Sequence, residues 1–265
     1  MRKLGLKRST YYYNTSHPRI DRYEDVRPLV REAFARTPNG MGYRQVQMAL
    51  RAEHGLAISG KTVLRLMREE GCVCTIRRKR YNSYKGEVGK AADNILNRDF
   101  EAEAPLTKLA TDVTEFRVAG GKAYLSPVMD LFNNEIVAFS ISQHPNMAQI
   151  YEMTAQLSGL EFGESSLLHS DQGWQYRQRS YQRKLEELGL TQSMSRKATC
   201  LDNACMEGFF GHMKDEFYRG RSFASFDEFK RGLTAYIYYW NNGRRQAGLK
   251  GMTPVQYRGH YIRAV

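Results

Sequence analysis

The stretch Leu109-Ala110-Thr111-Asp112-Val113-Thr114-Glu115-Phe116 decides how this chain is read. It places an acid, Asp112, within a strand-forming run of apolar and β-branched residues. A second acid, Asp171, ends another such run, Ser166-Leu167-Leu168-His169-Ser170-Asp171. A third, Glu207, sits in Asp202-Asn203-Ala204-Cys205-Met206-Glu207-Gly208-Phe209-Phe210, where the spacing is helical. Singly, each acid has an ordinary reading: Asp171 as a turn residue, Asp112 as an ion-pair partner, Glu207 as a solvated helix residue. Jointly, two strand aspartates and a helix glutamate repel one another and call for a cation. Oxygen ligands of this hardness favour Mg2+ or Mn2+. Two ions, bridged by Asp112 and flanked by Asp171 and Glu207, would suit phosphoryl transfer on nucleic acid.

The pattern around these acids is α/β. Strands are expected over Leu106–Val118, Ala123–Phe132 and Glu135–Gln143, with Gly120-Gly121 and Asn133-Asn134 as turns. Helix follows from Met147 to about Leu160, a short strand at Ser166–His169, and helix from about Arg177 to Leu188. Another short strand spans Leu190–Met194, then helices run from about Asp202 to Tyr218 and from Phe226 to Asn241. Three antiparallel strands followed by alternating helices and strands describe a mixed sheet. Asp130, at the end of a strand before a turn, reads as structural, and Asp202 as a helix N-cap. On the glutamate helix, at about 100° per residue, Asn203, Glu207 and Lys214 share one side within about 40°. Met206, Phe210, Met213 and Phe217 form the adjoining apolar stripe, and Phe226, Phe229, Leu233, Tyr236, Ile237 and Trp240 form another.

Charge divides the chain. The formal net charge is +12, and residues 1–100 carry 21 Lys and Arg against 10 Asp and Glu. A basic half fits a polyanionic partner, with a solvated basic face as the plain alternative. Three helices are expected in that half: about Ile20–Arg36, Tyr43–Glu53, and one beginning after Ser59 and ending at Gly71. The last carries Val63, Leu66 and Met67 on one face and Lys61, Arg65 and Arg68 toward another. This reads as helix-turn-helix DNA binding or, equally, as a small bundle with a wet basic face. The run Arg77-Arg78-Lys79-Arg80 suits phosphate contact, as do Asn241, Asn242, Arg244 and Arg245, expected on a loop. His169 lies on the aspartate's strand face, touching a phosphate or filling space beneath the site. Cys72, Cys74, Cys200 and Cys205 do not have zinc-knuckle spacing. No apolar signal core or membrane-length run is present, so a cytoplasmic location with access to DNA is expected.

Several segments together resemble one family. They are Gly42-Tyr43-Arg44, Thr62–Gly71, Asn94-x-Leu96-x-Arg98-x-Phe100, Thr111-Asp112-x-Thr114, Met129-Asp130-Leu131 and His169-Ser170-Asp171-Gln172-Gly173. Asp202-Asn203-Ala204, Tyr239-Trp240-Asn241-Asn242-x-Arg244-Arg245 and Thr253-Pro254-x-x-Tyr257 complete the set. Thirty-five residues separate Asp171 from Glu207, and Lys214 follows seven after the glutamate. The chain resembles a bacterial insertion-sequence DDE transposase, closest to the second-frame protein, OrfB, of the IS-three family. Trp174, and Gln246-Ala247 after the arginines, depart from its usual pattern. The resemblance implies a ribonuclease-H-like core resembling that of retroviral integrases. It also implies metal-dependent DNA strand cleavage and transfer, and Asp112, Asp171 and Glu207 as catalytic and metal-binding residues. DNA contacts would come from Lys214, Asn203, His169, Arg244, Arg245, Lys61, Arg65 and the 77–80 run. Implied partners are element-end and target DNA, further copies of the chain, and an upstream-frame helix-turn-helix and zipper protein, joined in some elements by frameshifting. The implied location is the bacterial cytoplasm, at the nucleoid. The expected layout is a helical region (1–74), a basic linker (75–104), a catalytic core (105–222) and a C-terminal helix and tail packed on it (223–265). Competing readings are a nuclease of the same fold without strand transfer and a non-catalytic DNA-binding regulator.

Overall fold

In a computed structural model, the described residues are 21–74, 92–196 and 203–263, with Ser9, Tyr12, Tyr13 and Ser16. The chain divides into two units, residues 1–36 with 41–73, and residues 37–40 with 74–265. The first unit holds helices α1 (Val26–Ala35), α2 (Tyr43–His54) and α3 (Gly60–Glu69). Gly55 ends α2 in the left-handed conformation at φ 67°, where a Cβ would be strained. Ser59 then starts α3 by accepting from the Thr62 amide. Val63, Leu66 and Met67 are buried, together with Val26, Val30, Val46 and Leu50. Arg27 bonds Asp21, Glu69 and Glu70, and Arg36 forks onto Glu53, so ion pairs join α1 to both other helices.

The second unit is built on one mixed sheet. Its strands are β1 (Lys108–Thr111), β2 (Thr114–Val118), β3 (Gly121–Asp130), β4 (Glu135–Ser142), β5 (Leu167–Ser170) and β6 (Thr191–Met194). β3 pairs antiparallel with β4 and with both β1 and β2. β1 and β2 hold the same alignment on β3, so the expected single strand is one ladder broken at Asp112–Val113. Beyond β1 the sheet turns parallel, β1 to β5 and β5 to β6. Helices α4 (Met147–Leu157) and α5 (Arg179–Glu187) cover one face, while α6 (Ala204–Met213) and α7 (Phe226–Asn242) cover the other. Leu109, Val128 and Leu168 point to the α4–α5 side, whereas Ala110, Met129 and Leu167 point to the α6–α7 side. Burial on both faces explains why these strands read as unbroken apolar runs. This is the ribonuclease-H-like arrangement of a mixed sheet flanked by helices.

The α6 helix does not run smoothly to Tyr218. Its last turn, Lys214–Tyr218, widens into π-helix. The apolar stripes behave as the periodicity indicates, with Met206, Met213, Phe217, Phe229, Leu233 and Trp240 all buried; Phe209 joins them. Asp130 is structural, as its position suggests. It is buried and accepts from the amides of Leu106 and Phe132, and burial pushes its carboxyl up to about 6. A final helix, α8 (Pro254–Ile262), starts with a capping box of Thr253 and Gln256.

Asn241 belongs to α7 and is not a loop residue reaching for phosphate. Its side chain accepts from the Ile136 amide and donates to the Ile136 carbonyl, both at 2.9 Å, acting as a one-residue partner for β4. Asn241→Ala leaves both groups without that partner and is expected to cost about 1–3 kcal/mol. Urea unfolding checks this, and a loss below about 0.5 kcal/mol would mean that water replaces the amide readily. No helix among the described residues is long and apolar enough to cross a membrane.

Candidate active site

Strand pairing brings the two aspartates together. Ala110 of β1 lies opposite His169 of β5. Carrying that register two residues on sets Asp112 opposite Asp171, at the ends of neighbouring parallel strands about 4.8 Å apart. Side chains alternate along a strand, so Asp112 follows Ala110 and Asp171 follows Leu167 to the α6–α7 face. Glu207 lies in the first turn of α6 on that same face.

Asp112 sits where the strand breaks, and its Oδ1 accepts from the Val113 amide at 2.7 Å. Its carboxyl is pushed up to about 8, first by burial, then by the Asp171 charge, with Glu207 adding to the rise. The Val113 amide and Lys214 pull the other way. Burial also raises the Asp171 carboxyl against the pull of the Gly173 amide, which it accepts at 2.8 Å. Burial raises Glu207 as well. Lys214 is half-buried, with Nζ 5.5 Å from the centre of the Phe116 ring. Burial lowers its ammonium, and Asp112 restores part of that loss. The three acids thus share one field. Among the described residues, no three metal-type side chains converge to enclose one ion. Carboxylates without a countercharge hold apart, and a cation is what would draw them in. The donor set of half-buried carboxylate oxygens, with their charge opposed by burial, fits a hard divalent metal.

Gly173 shapes the Asp171 loop. A Cβ there would stand 2.9 Å from Asp171 Oδ1 and 2.6 Å from Gln175 Nε2. Both are ends of side chains, so Gly173→Ala would swing Asp171 aside more than it would unfold the protein. We expect cleavage to fall about 100-fold with little change in melting temperature, because misplacing a reacting group by ~1 Å costs that much. Parallel activity and melting measurements test it; equal losses in both would point to global damage instead. The tight loop was legible as a glycine two residues after an acid, but the cradle itself depends on the fold.

Other sequence candidates separate into surface and interior. His169 is fully buried, which fits the space-filling reading better than a phosphate contact. Ser193 Oγ already accepts from the amides of Ile95 and Leu96, so its proton goes to His169 Nδ1 at 2.9 Å. The other ring nitrogen, Nε2, then donates to Ser195 Oγ. Asn203 is also interior, 5% exposed, and donates to the Thr111 carbonyl, tying the start of α6 to the strand that ends at Asp112. Its side chain is thereby turned inward, to the end of β1, where the sequence reading had it on DNA. Arg244, read as a phosphate contact, is 6% exposed, and its guanidinium is occupied by both oxygens of Glu216. A charge this deep stays paired inside rather than serving DNA. Arg245 is half-buried and bonds the Gly251 carbonyl and Gln256 Oε1. Lys61 is exposed on α3, while Arg65 is exposed but paired with Glu69. Arg77, Arg78, Lys79, Arg80 and Asp202 lie outside the described residues. Trp174, directly after the Asp171 loop, is 52% exposed. Sequence reasoning passed over Tyr176, whose hydroxyl lies buried 3.3 Å from Thr111 Oγ1, beneath the break that holds Asp112.

Comparison with known proteins agrees with this architecture. Family models for the integrase core domain match residues 102–200 and 207–262, and a model for an HTH-like domain matches residues 21–80. The chain is 46% identical over 260 residues to the putative transposase InsK for insertion sequence element IS150 of Escherichia coli, covering 97% of this chain and 92% of the relative. It is 31% identical over 272 residues to the transposase InsF for insertion sequence IS3A of Escherichia coli, covering 97% and 91%. A chain of the simian T-cell lymphotropic virus intasome, solved with a PP2A regulatory subunit, superposes with a TM-score of 0.52 at 12% identity, covering 80% of this chain and 73% of that one. With two integrase-core segments, an HTH-like segment and near full-length relatives, the chain belongs to the integrase-core transposases of bacterial insertion sequences, in the IS-three family.

Proposed function

We propose that this chain cleaves DNA at the ends of its insertion sequence and transfers the freed strand to target DNA, with a divalent metal at Asp112, Asp171 and Glu207. What supports the proposal is the β1–β5 register, with Ala110 opposite His169, which extended by two residues sets Asp112 opposite Asp171, on the face that also bears Glu207. Two Mg2+ ions are the expected complement, with Mn2+ as substitute, and Asp112, Asp171 and Glu207 would hold them. Such ions supply a polarised attacking oxygen and charge relief at the leaving oxygen.

The chain's own residues do the rest. Asp112 and Asp171 are each held at Oδ1 by the backbone amides of Val113 and Gly173, which leaves Oδ2 of each for a metal. Lys214 stands on the α6 side as a half-buried cation for the scissile phosphate. Water is the first attacking group and frees a 3′-hydroxyl; that hydroxyl then attacks the target phosphodiester in line. Residues 1–74, with Lys61 and Arg65 on α3, and the basic run 77–80 would hold duplex DNA through its phosphates. Handling two DNA segments calls for a homo-oligomer on DNA, with an upstream-frame helix-turn-helix and zipper protein as additional partner.

The test is a magnesium-dependent assay on end-labelled element DNA, with and without the upstream-frame product, beside Asp171→Asn. Joined product that disappears in the variant supports strand transfer. Hydrolysed ends without joined product would reduce the activity to a nuclease, and retained DNA binding without any product would leave a regulator.

A further inference from the structure

The π-helical turn at Lys214–Tyr218 is anchored at three points. Glu216, in its middle, is buried and accepts from Arg244 Nε and Nη2 and from the Tyr236 hydroxyl. Phe217 packs where Gly232 of α7 has no side chain; a Cβ there would stand 2.9 Å from its ring. The Tyr218 hydroxyl accepts from the Arg117 amide at 3.1 Å and donates to the Arg117 carbonyl at 2.8 Å, on β2. Within the turn, the Arg219 amide donates to the Lys214 carbonyl, five residues back, at 2.8 Å. One extra residue in a helical turn re-aims every side chain beyond it by roughly 100°. Rewinding to α-helix would therefore swing Glu216 off Arg244 and Tyr218 off β2.

The turn begins at Lys214, and its anchors also fix the surface on which that lysine lies. Lys214 Nζ is 5.5 Å from the centre of the Phe116 ring, and the Tyr218 ring packs edge-on against the same ring at 5.1 Å. Phe116 is on β2, four residues beyond Asp112, whose charge reaches the Lys214 ammonium. We propose that Arg244 and Glu216 are positioning residues: their ion pair locks the turn in its π form and so sets the reach of Lys214 toward the phosphate at the acids. A buried ion pair is often no more stabilising than apolar residues of similar volume, which leaves geometry as what this one supplies. The role of Lys214 rests on the transposase reading, whereas the hold on the turn stands without it.

Two readouts on the full chain test it. Hydrogen exchange at the Arg117 amide, followed by NMR without metal or DNA, reports the turn through the Tyr218 hydroxyl. Single-turnover cleavage of element-end DNA in magnesium reports Lys214. Arg244→Met with Glu216→Met removes both charges and strands neither. It should speed Arg117 exchange by about five-fold or more, the weight of one hydrogen bond. It should also slow cleavage about 100-fold with DNA affinity little changed, because ~1 Å of misplacement costs that much. In a Lys214→Ala background the same two changes should cost less than about three-fold further, since both act on one interaction. Tyr236→Phe, which takes one donor from Glu216 and preserves the ring, should speed Arg117 exchange in the same direction by less. Unchanged Arg117 exchange in both variants overturns the proposal, as does normal cleavage beside fast exchange, or the full 100-fold loss repeated on top of Lys214→Ala. A natural chain that cuts nothing in magnesium, with Arg117 exchange fast only in the variants, removes the transposase reading and keeps the hold of the pair on the turn.

Discussion

Asp112→Asn should abolish strand cleavage and at the same time make the metal-free protein more stable at pH 8. The first effect follows from losing the central carboxylate of the proposed site; several kcal/mol of lost charge stabilisation correspond to ~10³-fold or more in rate. The second follows from burial and the neighbouring Asp171, which push the carboxyl up to about 8. An unfolded chain releases the same proton near ~3.9. A carboxyl raised in the folded state is at its most favourable below the unfolded value, and that advantage is lost as pH climbs through the folded value. Between pH ~4 and ~8 the natural chain should therefore lose roughly 2 kcal/mol relative to the asparagine variant. This is less than a dry site would impose, because solvent reaches the half-buried group. Denaturant unfolding in chelator at pH 5 and pH 8 measures the difference. Identical pH slopes for the two proteins would contradict the electrostatic account. Magnesium should then stabilise the natural chain and leave the variant unmoved, since only a ligand of the folded form shifts the balance.

Arg244→Ala should be among the most damaging single changes in the second unit. Glu216 is buried, accepts from Arg244 Nε and Nη2 at 2.8–3.1 Å, and takes the Tyr236 hydroxyl at 2.9 Å. Arg244 also lies over the Trp240 ring at 4.7 Å. Removing the cation strands a buried carboxylate, which costs about 3–5 kcal/mol. Replacing both charges, as Arg244→Met with Glu216→Met, removes the stranded charge and should recover most of that loss. Urea unfolding of the two variants decides the matter: a double variant no better than the single one would show that packing on Trp240, and not the ion pair, dominates. A surface phosphate contact would behave differently, weakening DNA binding with stability intact.

The residues that were legible from sequence are those whose role is local. Ser59 starts a helix and Gly55 ends one because a cap needs only neighbours within a turn. Asp112, Asp171 and Glu207 stood out because each sits in an element that the local pattern defines. What the pattern could not show depends on distant partners. The break at Asp112–Val113 is visible only against β3, and the π-helical turn after Met213 only against the packed aromatics. Arg244 and Asn241 looked like loop polar groups because Glu216 and Ile136, their partners, lie far away in the chain. His169, read as a phosphate contact or a space-filler, and Asn203, read as a DNA contact, have inward partners, Ser193 and Thr111, that nothing local reveals.

The parallel pairing of β1 with β5 also fixes when the protein becomes dangerous. Its two aspartates belong to strands separated by a hairpin and a helix, and the glutamate follows only after another strand. Closing so long a loop is slow and entropically costly, so this pairing is a late event in folding. A nascent or truncated chain that stops before α6 holds at most two of the three acids. With the site proposed above, DNA cutting would be withheld until synthesis and folding of the core are nearly complete, a built-in delay protecting the genome that carries the element.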